Sequence, residues 1–376
     1  MAGIYLHIPY CRHKCNYCNF YSLASTKYRE QLLPALFREL ALQQYYLEDE
    51  PVETIYFGGG TPSLLNTREL ENLIAGIHKC FSVTAEAEVT LEANPDDLTA
   101  LKIRELKHAG INRLSIGIQS FNDDDLEFLE RRHSADQARI CITMAQDAGF
   151  TNLSIDLIYG IPTLDCNGWE SNLRRATESG IPHISAYALT VEEKTPLFLH
   201  IQQGKLPGID DEKQLDHFNI LTSMLRENGY EHYEISNFCK PGIYSKHNTS
   251  YWQGKKYLGI GPSAHSFNGS SRQWNVSDLG LYISSLNKGE VPFEKEILTT
   301  PQRYNEYVMT SLRTMWGCDL DLIRKKFGAG FAAQALADAR PFIENGMIAQ
   351  HAQVLHLTDK GLFHADGIAS AFFKVD

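Results

Sequence analysis

The sequence predicts an α/β fold built on a mostly parallel sheet, with a smaller α+β module at its C-terminal end. Three observations predict it. Through the first half of the chain, six short apolar segments alternate with amphipathic helical patterns. Three of those patterns stop at a glycine just before the next strand, in Ala109-Gly110, Ala148-Gly149 and Ser179-Gly180. Beyond Thr300 the alternation ceases, and helical patterns lead into a strand pair.

Strands at 4–8, 54–57, 88–92, 113–117, 152–157 and 183–189 are expected, with helices at 28–46, 67–81, 99–109, 134–148 and 168–179. Strands alternating with helices make βα units. The glycines read as C-caps, where a left-handed residue closes the last helical turn. Six such units build either an open barrel or a doubly wound sheet, and periodicity does not choose between them. Residues 204–214 read as a loop, followed by a helix to 227, and residues 230–274 are rich in Tyr, His and Trp. Helices at 302–315, 320–326 and 331–345, a strand pair around 347–357 and a last helix suggest a winged-helix-like module. Three spans follow: 1–230 as the large domain, 231–299 as a connecting region and 300–376 as the C-terminal domain.

The chain has 376 residues and is 43% hydrophobic, enough for one large and one smaller domain. Its net charge of -11 argues against a nucleic-acid partner, because binding phosphates needs a basic face. The winged-helix-like module is read as structural for the same reason. No stretch reaches the ~18 apolar residues of a membrane span, and the opening residues do not resemble a signal peptide. The expected location is the cytoplasm. There, clustered cysteines are more often metal ligands than disulfides. Cys80, Cys141, Cys166, Cys239 and Cys318 show no ligand spacing and read as packing residues.

The other three cysteines form a C-x3-C-x2-C run, Cys11, Cys15 and Cys18, just past the first strand. Thiolates hold iron–sulfur clusters, and close spacing lets one loop wrap a cube. Three ligands for four irons leave one iron open to a further ligand. Zinc is the alternative, and His7 or His13 would have to complete its four ligands. Gly58-Gly59-Gly60 follows the second strand, where glycines permit close backbone approach to a ligand. Glu92, Gln119 and Asp156 fall near the C-terminal ends of later strands, where parallel barrels build their sites. Arg131 adds a cation that could meet a carboxylate, with Arg132 as its rival.

The triad, with Tyr17 before its last cysteine, resembles the radical S-adenosylmethionine superfamily. In that superfamily the methionyl amino and carboxylate groups chelate the fourth iron of a 4Fe–4S cluster. Four longer motifs narrow the resemblance: Tyr5-Leu6-His7-Ile8-Pro9-Tyr10-Cys11, the GGGTPS loop, Asn112–Phe121 and Ile155–Pro162. In order along the chain, they are similar to the oxygen-independent coproporphyrinogen III oxidase family, over nearly the whole sequence. That resemblance implies a (β/α)6 partial TIM barrel followed by a smaller domain. It also implies S-adenosylmethionine contacts at Tyr5, Tyr17, Gly59, Gly60, Thr61, Glu92, Gln119, Arg131, Asp156 and Thr190, the last on a less similar local motif.

The family has two branches. One decarboxylates coproporphyrinogen III; the other binds heme and inserts it into respiratory proteins. Phe20 stands where the oxidase motif carries a fourth cysteine, and the oxidase's N-terminal extension is expected to be missing ahead of Cys11. His247-Asn248-Thr249-Ser250-Tyr251-Trp252 matches the HNxxYW motif of heme-binding members. The resemblance thus implies a chaperone with heme as bound cargo. Neutral imidazole is a common axial heme ligand, so His247 is the heme candidate and His265 its competitor. Expected partners are heme and respiratory heme acceptors, with peripheral membrane contact and a homodimer as further expectations. The oxidase, or another radical enzyme on an unknown substrate, stays open as the alternative.

Overall fold

A computed structural model describes residues 2–375. Its first six strands are β1 (Ala2–Ile8), β2 (Val52–Gly59), β3 (Val83–Ala93), β4 (Arg113–Gln119), β5 (Asn152–Tyr159) and β6 (His183–Ala188). They pair in parallel, each with the next in chain order. A doubly wound sheet reverses its strand order at a switch point, and this one does not. Register and order therefore select the partial barrel. Right-handed crossovers carry the intervening helices to one face. Ile4, Leu6 and Ile8 are fully buried, as the apolar run of a strand covered on both faces requires. Each such side chain contributes roughly 1.5–3 kcal/mol.

The helices between these strands are α1 (Arg29–Leu42), α2 (Thr67–Cys80), α3 (Ala100–His108), α4 (Asp123–Phe128), α5 (Ala135–Asp147) and α6 (Cys166–Glu178). Capping boxes start two of them: Asn66 with Glu69, and Ser134 with Gln137. Each box satisfies two of the backbone N–H groups that a helix start leaves unpaired. Gly110, Gly149 and Gly180 lie in the left-handed region at φ 96°, 80° and 67°, closing α3, α5 and α6 as C-cap glycines. The short α4, absent from the sequence expectation, is one and a half turns held by an Asn122 cap.

After α7 (Pro196–Gln202) and α8 (Asp211–Glu227), the chain returns to the sheet. α8 begins inside the expected loop, where the Asp210 carboxylate accepts the Glu212 and Lys213 amides. β7 (Glu231–Glu234) and β8 (Asn237–Cys239) extend the sheet antiparallel beyond β6. Past α9 (Lys246–Trp252), β9 (Tyr257–Ile260) pairs parallel to β1. β10 (His265–Phe267) and β11 (Ser271–Asn275) follow, then α10 (Leu279–Asn287) and β12 (Phe293–Ile297). The result is a 12-stranded sheet. The span expected as a connecting region thus builds both ends of it. Leu258, Ile260, Tyr282 and Leu286 share the core of β1–β6. Strands of three to five residues are too short for periodicity to announce them.

A second core gathers Tyr304, Val308, Ile323, Leu355 and Phe372. Its elements are α11 (Thr300–Leu312), β13 (Cys318–Asp319), α12 (Leu320–Phe327), α13 (Ala329–Glu344), β14 (Ile348–His351), β15 (Val354–Leu357), α14 (Asp359–Leu362) and α15 (Ala365–Ser370). Three helices with a strand after the first and a hairpin after the third form the expected winged-helix-like arrangement. The module docks on the barrel through backbone bonds, Ile235 N–H to Arg313 O at 3.2 Å and Met315 N–H to Tyr233 O at 3.0 Å. Among the described residues, no helix is long and apolar enough to cross a membrane.

Candidate functional site

The loop after β1 is pinned before its cysteines begin. Cys11 N–H donates to Leu23 O at 3.0 Å, and Leu23 N–H donates to Pro9 O at 2.6 Å. Between them Cys11, Cys15 and Cys18 are half-buried and open onto one cavity of about 410 Å³. The cavity lies over the C-terminal ends of β1–β6. It brings together Tyr17, Gly59, Gly60, Thr61, Glu92, Gln119, Arg131, Asp156 and Thr190, nine of the ten positions the family pattern marks. Tyr5 is the exception. It stacks on Tyr56, ring centroids 6.0 Å apart, and lines a neighbouring cavity instead.

Each polar group here has a structural cause. Thr61 Oγ1 donates to Cys11 Sγ at 3.4 Å and accepts from Asn94 Nδ2 at 3.3 Å. Arg131 is held by Asn94 Oδ1 at 2.7 Å and Gly117 O at 2.8 Å, with Cys15 Sγ 3.5 Å from its Nη1. Its rival Arg132 points to solvent. Glu92 accepts from the Tyr56 hydroxyl at 2.8 Å and from Gly59 N–H at 3.1 Å. Burial outweighs both donors and pushes the Glu92 carboxyl up to about 7. Burial likewise raises the carboxyl of Asp156, against Ser185, Arg113 and Ser115. Arg113 is buried below, with Nε and Nη1 unpaired among the described residues. Burial also raises the Cys11 and Cys18 thiols, so a bound cation is what would draw out their thiolates.

The residues present fit a 4Fe–4S cluster. Among the described residues, no group of three or more His, Cys, Asp or Glu gathers where one metal ion could sit. Of the two histidines that zinc would need, only His13 lines the cysteine cavity, and there it faces a carboxylate. His7 is bonded to Tyr21 O at 2.8 Å and to the Tyr5 hydroxyl at 3.2 Å, while His13 faces Glu130 at 3.6 Å. Three thiols rimming a space, a guanidinium beside them and two partly buried carboxylates on the same cavity suit a cluster with an open iron. They also suit a ligand carrying both a carboxylate and cationic groups.

His247 stands apart from that cavity. It lies in the first turn of α9 behind β1 and β2, fully enclosed. Its Nδ1 lies 2.7 Å from Thr54 Oγ1, its Nε2 lies 2.7 Å from the Tyr251 hydroxyl, and the ring stacks on Tyr56 at 4.9 Å. Burial lowers its pKa to about 3, so the ring is neutral. Both ring nitrogens are engaged, and iron could reach one only by breaking a hydrogen bond. Asn248, the next residue of the motif, does line the cysteine cavity.

Several lining residues escaped the sequence reading: Tyr56, Asn94, Ser115, Ser185 and Asn248. Strand alternation could have found two of them. Asn94 lies two residues past Glu92, and Ser115 and Gly117 alternate toward the same face of β4. A second cavity, about 820 Å³, opens between the β9–β11 edge and the C-terminal module. Exposed Phe20 lines both cavities.

Residues 5–176 match the radical SAM superfamily, and residues 298–364 match the HemN C-terminal domain. The chain is 33% identical to the heme chaperone HemW of Bacillus subtilis, over 99% of both chains. It is 32% identical to that of Lactococcus lactis, over 99% of this chain and 97% of the relative. Among solved structures, Escherichia coli coproporphyrinogen III oxidase (HemN), described as a radical SAM enzyme, superposes with a TM-score of 0.85. It does so at 24% identity, over 99% of this chain and 90% of the other, which establishes the shared fold. The chain belongs to the HemW family, within the radical SAM superfamily.

Proposed function

We propose that the protein is a heme chaperone, binding heme and delivering it to respiratory heme proteins on a scaffold that holds a 4Fe–4S cluster and S-adenosylmethionine. The observation that carries this reading is the match, across 99% of both chains, to a protein named heme chaperone HemW. The superfamily implies the cluster and S-adenosylmethionine. Cys11, Cys15 and Cys18 are the residues that would hold the cluster. When bound, it supplies an iron with open coordination and a centre for one-electron transfer. Arg131, fixed by Asn94, presents a cation to a carboxylate. Glu92 and Asp156 present anions to an ammonium or sulfonium, and the Gly59–Thr61 turn lets the ligand approach the backbone. Phe20, exposed beside the cysteines, supplies no fourth thiol. On this reading the protein works in the cytoplasm and meets its acceptors at the membrane surface. Cluster and cofactor govern a homodimer or the release of heme.

The test is anaerobic cluster reconstitution with S-adenosylmethionine, followed by two parallel assays. Heme titration should give a saturable Soret shift, and incubation with coproporphyrinogen III should yield no protoporphyrinogen. Turnover without heme binding would overturn the chaperone reading in favour of the oxidase.

A further inference from the structure

We propose that heme occupies the 820 Å³ cleft between the β9–β11 edge and the C-terminal module, with His265 as the axial ligand and Arg303 and Lys326 receiving the propionates. The inference rests on the heme-chaperone reading and locates its cargo. The cleft has twice the volume of the cysteine cavity and falls in the size range of small-molecule sites. Its walls are aromatic. Tyr251 and Tyr257 meet edge to face at 4.5 Å on the barrel side, and Tyr307 and Phe327 face them from the module. Such walls suit a large flat π-system.

Three histidines come near heme-sized space, and their hydrogen bonds separate them. His7 and His247 each have both ring nitrogens engaged. His265 projects exposed from β10 into the cleft, stacked on Trp274 at 6.2 Å. Among the described residues, neither of its ring nitrogens has a hydrogen-bond partner. Burial and the nearby Arg272 cation lower its pKa, which keeps a lone pair available to iron.

Charge in the cleft also matches the cargo. Arg272 is committed to Glu306 at 2.6 Å and to the Tyr257 hydroxyl at 3.2 Å, which cancels the carboxylate that faces the cleft. Two further cations line it. Arg303 donates to Thr300 Oγ1 at 3.2 Å, but its Nε is buried and unpaired among the described residues. Lys326 is exposed, 6.0 Å from the Tyr307 ring centroid. Two cations answer the two propionates of heme. Both belong to the C-terminal module, which makes the module one wall of the cargo site.

The full-length, cluster-loaded protein is titrated anaerobically with ferric heme. Variants are His265→Ala, His265→Gly with and without free imidazole, His247→Gln, and the pair Arg303→Ala with Lys326→Ala. Iron content and S-adenosylmethionine binding report folding in every case. His265→Ala should move the Soret maximum and weaken binding about tenfold or more, and imidazole should restore the native spectrum to His265→Gly. The cation pair should weaken heme about tenfold, leave the Soret maximum in place, and have no effect on heme dimethyl ester. A native spectrum in His265→Ala, or a spectral change that follows His247→Gln instead, overturns the assignment. If the unaltered protein binds no heme, the chaperone reading itself fails.

Discussion

Gly60→Ala should unseat the cysteine loop without touching a cysteine. A Cβ on Gly60 would lie 2.7 Å from Tyr10 O and 2.9 Å from Ile8 O. Ordinary carbon–oxygen contacts begin near ~3.3 Å, so the 8–10 backbone must recede by about half an ångström. Those carbonyls are not free to move. Ile8 O accepts Gly60 N–H at 2.8 Å, and Tyr10 O accepts Thr61 N–H at 2.7 Å. Overpacking costs ~1–3 kcal/mol and each lost hydrogen bond about 1 kcal/mol, so the variant should lose roughly 2–4 kcal/mol. Cys11 follows Tyr10 directly, so the strain falls on the first cluster ligand. Urea unfolding measures the stability, and iron per chain after anaerobic reconstitution measures the loop. The control is Gly330→Ala in α13, where an added Cβ meets nothing within 4 Å. It should be neutral or up to ~1 kcal/mol more stable, as alanine favours helix. A Gly60→Ala protein with native stability and full iron would refute the reasoning.

Three further outcomes follow from the geometry. Glu39 is enclosed by Gly261 N–H at 2.8 Å, Asn275 Nδ2 at 2.6 Å and the Tyr282 hydroxyl, and burial raises it to about 7. A carboxyl raised on folding gives its stability in full below its unfolded pKa and loses it as pH rises through the folded value. Between pH 4.5 and 7 the loss is about 3 kcal/mol, visible as a steeper fall in unfolding free energy than in Glu39→Gln; parallel curves would contradict it. Asn94→Ala removes one of the two acceptors fixing the far end of Arg131 and should weaken S-adenosylmethionine about tenfold by calorimetry. Unchanged affinity would show that Gly117 O alone orients the guanidinium. Alanine at Cys11, Cys15 or Cys18 should abolish cluster iron with native circular dichroism, while Cys166→Ala, exposed on α6, should retain it. Retained iron in the triad variants would place the cluster elsewhere.

Much of the barrel was legible because long periodic segments state their own structure. The six βα units surface within a few residues of their expected ends, and the C-cap glycines adopt the left-handed angles that their position implied. Most of the cysteine cavity was legible for a related reason: its residues close successive strands of a parallel sheet, which share one end. What escaped were groups whose role depends on a partner distant in sequence. Asn94 matters because Arg131 and Thr61 meet it, and Arg113 because it lies under two carboxylates. Strand order, too, came only with the register, as helical periodicity is the same in either winding.

The histidines draw the boundary most sharply. By itself the sequence determined the cysteine triad, the α/β repeat, the family pattern and the fact that His247 and His265 both lie in an aromatic-rich region. Only the tertiary structure decided which of them has lone pairs to spare. Thr54 and Tyr251 occupy both nitrogens of His247, whereas His265 stands exposed at the start of β10, facing a cleft that the C-terminal module completes. A ring's availability to a metal depends on its hydrogen-bond partners, and those are set by packing between segments far apart along the chain.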